Sequence, residues 1–212
     1  MVTTPELIDT LAAGAGPVKR LRPPALQAAL WIAMATVIAA LAVSIHGLRP
    51  DLAQRFADPL FTTSLAGSLL TAVLAALAAF MSGLPDRSRL WLILPIPALL
   101  LWLSAIGYGC LANWIPLDEH NSVADETRCA ATMVLTSLPL SLTMLAMLRA
   151  APPLAPRPTL LSGALAVAAV VATFMALFHD HDAAAMVLLW NLAPVVLIIG
   201  PAAVLGEKLL AR

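Results

Sequence analysis

Six stretches of this chain, 25–45, 60–83, 90–112, 129–148, 159–178 and 183–205, contain no Asp, Glu, Lys or Arg. Each is near the length of about 20 apolar residues that a helix needs to cross a hydrocarbon core roughly 30 Å thick. None alternates apolar with polar residues as a lipid-facing barrel strand does. Inside a bilayer every backbone N–H and C=O must find a partner within the chain, so helices are the one spanning structure left. Composition agrees: 61% of the residues are hydrophobic and 11% charged, far from the balance of a water-soluble domain. The expected fold is all-α, an integral membrane bundle of six transmembrane helices. It divides into a tail at 1–24, a six-helix domain at 25–206 and a short C-terminus at 207–212. Prolines interrupt the third span (Pro95, Pro97), the fourth (Pro139) and the sixth (Pro194, Pro201), and each predicts a kink. The triplet Ala40-Leu41-Ala42 looks like a signal-peptidase site, but the apolar run continues past it, so the first span is read as uncleaved.

Loop cations set the orientation. Nine of the twelve, Lys19, Arg20, Arg22, Arg87, Arg89, Arg149, Arg157, Lys208 and Arg212, fall on one face, against Arg49, Arg55 and Arg128 on the other. Both termini are therefore expected in the cytoplasm. The lipid bilayer is a partner by composition, and a net charge of zero spread in short clusters offers nothing to nucleic acid.

The two cysteines bracket the most acidic loop: Asp118, Glu119, Asp125 and Glu126 lie between Cys110 and Cys129. On this topology both thiols sit at the outer interface, where disulfides persist. A disulfide there would stabilise the folded state by roughly 3 kcal/mol through loop closure. A structural staple across a helical hairpin and a redox or thiophilic-metal sensor are both open. The last outer loop, FHDHDA, puts His179, His181 and Asp182 in reach of a metal, with Asp180 beside them and with His120, Asp118 and Glu119 of the acidic loop as further ligands that could join. A His-x-His pair alone is equally well a polar turn before a helix whose start favours Asp182. Asn191, three residues before Pro194, reads as a partner for backbone groups near that proline or for a neighbouring helix.

No ionisable side chain lies within a span, which argues against an ion-coupled pump or transporter. No phosphate loop, nucleophile elbow, metalloprotease helix or Cys-x-x-Cys pair is present, so no enzyme and no cofactor are expected. One cytoplasmic segment stands out. Residues 5–12, PELIDTLA, start with a proline suited to a first helical turn and put Leu7, Ile8 and Leu11 on one face. Such a helix could dock in the groove of a soluble protein or lie on the bilayer, anchored by the nearby cations.

Three stretches, ELIDTLAAGAGPVKRLRPP before the first span, GLRPDLAQRFADPLF at 47–61 and FHDHDAAAMVLLWN near the end, together carry a resemblance. In their order and spacing the chain resembles the NrsF-type six-span bacterial negative regulators of extracytoplasmic-function sigma factors. The resemblance implies a membrane anti-sigma factor that holds such a sigma factor inactive and releases it under oxidative or heavy-metal stress. It makes Cys110 and Cys129 the sensing thiols and Leu7, Ile8 and Leu11 the leading sigma contacts. Some members of that family are expected to carry a cysteine directly after the histidine of the last outer loop, where this chain has Asp180. On this view a change at the thiols repacks the third and fourth spans, and the second and fourth cytoplasmic loops move with them. The contrasting reading is a membrane scaffold or neutral-solute transporter whose cysteines are a staple.

Overall fold

The computed structural model describes residues 3–14, 22–84, 88–112, 123–150 and 155–178, and among these all regular structure is helical. The elements are α1 (Thr4–Ala13), α2 (Pro24–His46), the short α3 (Leu52–Arg55), α4 (Pro59–Met81), a 3-10 turn (Arg89–Ile93), α5 (Ile96–Ala112), α6 (Val123–Ala150) and α7 (Pro156–Phe178). Five segments, Pro24–Ile45, Pro59–Met81, Leu90–Tyr108, Ala131–Ala150 and Pro156–Leu177, are long and apolar enough to cross a membrane. They match the first five expected spans. The sixth, 183–205, with Asn191, Pro194 and Pro201, lies outside the described residues.

Local chemistry sets the helix ends. Proline opens α2, α4 and α7 at positions where the missing N–H has no intrahelical partner to lose. The Asp58 carboxylate accepts the Leu60 N–H at 2.9 Å and caps α4. Pro95 and Pro97 do not kink a continuous third span. They divide it into the 3-10 turn and α5, joined where the Leu99 N–H donates to the Pro95 carbonyl at 2.9 Å. Pro139, in contrast, lies inside an unbroken α6, which starts at Val123, six residues before the apolar run begins.

In lipid, burying an apolar side chain against another gains little over burying it in acyl chains. Association therefore rests on close packing and interhelical hydrogen bonds. The sequence provides for both in α4 and α7, the two most enclosed spans. Half of the α4 window and 61% of the α7 window are buried inside the protein, against 22% for α2. The α4 face is Gly67, Ser68, Thr71, Ala72, Ala75, Ala76, Ala78 and Ala79, with Phe80 at its end. Ser68 accepts from the Thr173 hydroxyl at 2.9 Å, and Ser82 pairs with Thr159 at 3.0 Å. The partners lie fourteen residues apart in both helices and run in opposite directions, so α4 and α7 are antiparallel and in one register over about 21 Å. Each such bond contributes roughly 0.6–2 kcal/mol in a membrane.

The remaining helices lean on this pair. α5 and α2 pack on α4, while α6 packs on α7 and, less extensively, on α2. At Gly67 the backbones of α4 and α5 nearly touch: a Cβ there would come within 2.9 Å of the Trp102 backbone N and Cα. The buried stripe of α2 is Ala28, Trp31, Ala35 and Ala42, so Trp31 is its one large buried side chain. Its indole N–H donates to the Leu140 carbonyl of α6 at 3.3 Å. Leaving such a buried donor unpaired would cost about 1–3 kcal/mol.

The Gly67 contact yields a two-sided test. Alanine normally favours a helix over glycine by about 1 kcal/mol, and Gly107→Ala, with nothing within 4 Å of the new methyl, should show that gain. Gly67→Ala must instead push α5 off α4 and should lose about 1–3 kcal/mol. Unfolding of the purified protein in mixed detergent measures both. A Gly67→Ala variant as stable as the native chain would refute the close approach.

Candidate functional site

The segment 5–12 expected to be helical is α1, extending from Thr4 to Ala13. Its start is fixed locally, because the Glu6 carboxylate accepts from the Thr3 backbone N–H and from the Thr3 hydroxyl, both at 2.9 Å. Those two bonds, the backbone one foremost, hold the Glu6 carboxyl below its ordinary range. Proline at the first turn and the Thr10 hydroxyl on the Glu6 carbonyl complete a helix specified by its own residues. No residue of α1 is buried: Leu7, Ile8 and Leu11 are 52%, 59% and 66% exposed. These three side chains share one side of the helix and form an exposed apolar strip that none of the described residues buries.

Cys110 falls in the last turn of α5 and Cys129 in the second turn of α6. The second half of the acidic loop, including Asp125 and Glu126, is thus the first turn of α6 and not loop. α5 and α6 are not principal packing partners: one leans on α4, the other on α7 and α2. Asp118, Glu119 and His120 lie outside the described residues, as do His179, Asp180, His181 and Asp182. Among the described residues no group of three potential metal ligands converges.

The GLRPDLAQRFADP stretch has a structure that residue-by-residue reading did not single out. Gly47 ends α2 with φ of 79°, a left-handed conformation that favours glycine. Arg49 then turns inward to 5% exposure, an unusual state for a cation in a loop. Its Nε and Nη2 donate to the two Asp51 oxygens at 2.7 and 3.0 Å, and Arg55 Nε donates to the same carboxylate at 3.2 Å. The Arg49 backbone N–H reaches across to the Leu177 carbonyl at 3.3 Å and fastens the loop to the end of α7. Phe56 and Phe61 meet edge to face with centroids 5.8 Å apart, closing α3 against the start of α4. The signal for this knot was the arginine–aspartate–arginine spacing, with glycine before it and Asp-Pro after it.

The Arg49 hydrogen bond, followed by those of Arg55, depresses the Asp51 carboxyl from 3.8 to about 2. A depressed carboxyl contributes stability that is fully present above its unfolded value and is lost as pH falls through the folded one. Corrected hydrogen exchange over residues 48–56 should therefore stay slow from neutrality down to about pH 4 and rise towards pH 2. Asp51→Asn should show the fast exchange already at pH 7 and no further acid step.

The comparisons with known proteins bear on all of these features together. No curated protein and no solved structure matches the chain. The family described as NrsF, negative regulator of sigma F, matches residues 11–211, from the last turns of α1 through the bundle and both thiols. That match covers nearly the whole sequence, and the chain belongs to the NrsF family of negative regulators of a sigma factor.

Proposed function

We propose that this protein is a membrane anti-sigma factor with six spans and both termini in the cytoplasm of a bacterial inner membrane. It holds an extracytoplasmic-function sigma factor inactive and releases it when an oxidant or heavy metal acts on Cys110 and Cys129. It works by binding and not by catalysis. Family membership supplies the class of partner. The observation that carries the docking assignment is α1: a self-capped helix with Leu7, Ile8 and Leu11 uncovered on one side. An apolar strip of this kind suits a groove on a soluble protein. The family match reaches Leu11 but not Leu7 or Ile8.

The helix arrangement supports the sensing half of the reading. Joining residues 110 and 129 by a disulfide or a shared thiophilic metal ties α5 to α6, which pack on different neighbours. A shift of a few kcal/mol between two packings is enough to reverse a population.

Two experiments test the proposal. The intact tagged protein, purified from its own cells in mild detergent, should bring down one stoichiometric sigma factor. Leu7→Glu/Ile8→Glu/Leu11→Glu should cut that recovery at least tenfold while leaving the membrane level of the protein unchanged. Recovery of the sigma factor at native level would move docking off α1, and a preparation without any sigma factor would end the anti-sigma reading. Separately, Cys110→Ser/Cys129→Ser should abolish induction of the sigma regulon by both diamide and mercuric ion. Normal induction by either agent in that variant would rule out these thiols as its sensor.

A further inference from the structure

The fold leaves open how a change at α6 reaches a helix at the far end of the sequence, and the Trp31 contact closes that gap. α6 is the described helix that carries one of the two thiols and also touches α2. Ten residues separate the end of α1 from the start of α2, so α1 is tethered to wherever α2 starts. Within α6 the hydrogen-bond ladder is broken at Pro139, which has no N–H to give the Leu135 carbonyl. One residue on, the Leu140 carbonyl accepts the Trp31 indole at 3.3 Å and the Thr143 hydroxyl at 3.0 Å, with the same hydroxyl 2.8 Å from the Pro139 carbonyl. Trp31 and Leu140 are both fully buried.

We infer that Trp31 is the positioning residue that couples α6 to α2: bending of α6 at Pro139 re-aims the Leu140 carbonyl, and α2 follows it through the indole hydrogen bond. This inference rests on the anti-sigma reading for its output, the position of α1. Its physical basis is that a buried indole N–H in an apolar bundle has no water to turn to, so α2 moves with its acceptor instead of surrendering the bond. The rest of the buried α2 stripe is alanine, which can slide past its neighbours without comparable loss. Thr143 holds the same carbonyls from within α6, so the acceptor stays defined while the ladder beside it is open.

A double-mutant cycle in cells carrying a sigma-dependent reporter tests the coupling without knowledge of the natural inducer. Pro139→Ala restores the ladder and should change basal reporter output at least fivefold when Trp31 is present. Trp31→Phe keeps a ring in the site but removes the donor. In that background Pro139→Ala should change output less than twofold. Immunoblots report the membrane level of each variant; Thr143→Val replaces Pro139→Ala, and Trp31→Met replaces Trp31→Phe, wherever a first choice fails to accumulate. An equal Pro139→Ala effect in both backgrounds overturns the coupling, as does no effect in either. Failure of the anti-sigma reading looks different: the native chain then captures no sigma factor at all.

Discussion

The antiparallel packing of α4 on α7 is the contact on which the rest of this bundle depends. Both helices are rich in small residues where they meet, and two hydroxyl pairs fix their register at points fourteen residues apart. In water such a pair would rely on apolar burial; in lipid it relies on close approach and on hydroxyl groups with nowhere else to bond. Every other described span is seated by reference to it. α2 and α5 lie on α4, α6 lies on α7, and the loop after α2 is fastened to the end of α7 through Arg49. The peripheral helices are far less enclosed, which leaves them freer to change their seats than the central two.

Much of this was legible because a bilayer enforces a simple code. Uninterrupted uncharged runs had to be helices, and the boundaries of α2, α4 and α7 fell within a few residues of those runs because prolines and Asp58 mark their starts. The amphipathic pattern of 5–12 likewise announced α1, whose capping is written in Thr3, Pro5 and Glu6. Hydropathy failed where polarity and helicity part company. Asp125, Glu126 and Arg128 looked like loop because they are charged, yet they form the opening of α6. Pro95 and Pro97 looked like a kink, yet two prolines so close remove two donors within three residues and end one helical segment before another begins.

The candidate site was less legible than the fold, since its parts act across long sequence separations. Trp31 and Leu140 are 109 positions apart, and nothing in either neighbourhood announces the other. Arg49 read as one of three cations on the sparse side of the charge count. Its burial and its grip on Asp51 emerge only once Gly47 has turned the chain. The packing of α5 and α6 on different neighbours could not be read from their adjacency in sequence, which by itself suggests a hairpin.

The length of α6 has a consequence of its own. Its 28 residues span about 42 Å, roughly 12 Å more than the hydrocarbon of a typical bilayer. A wholly apolar helix of that length would tilt to hide the excess. The charges at Asp125, Glu126 and Arg128 forbid it, so the mismatch is relieved by two turns standing clear of the acyl chains. Residue 129 lies in the second of those turns, just ahead of the apolar segment that begins at Ala131. A helix shortened by those two turns would have no length to spare beyond the hydrocarbon thickness.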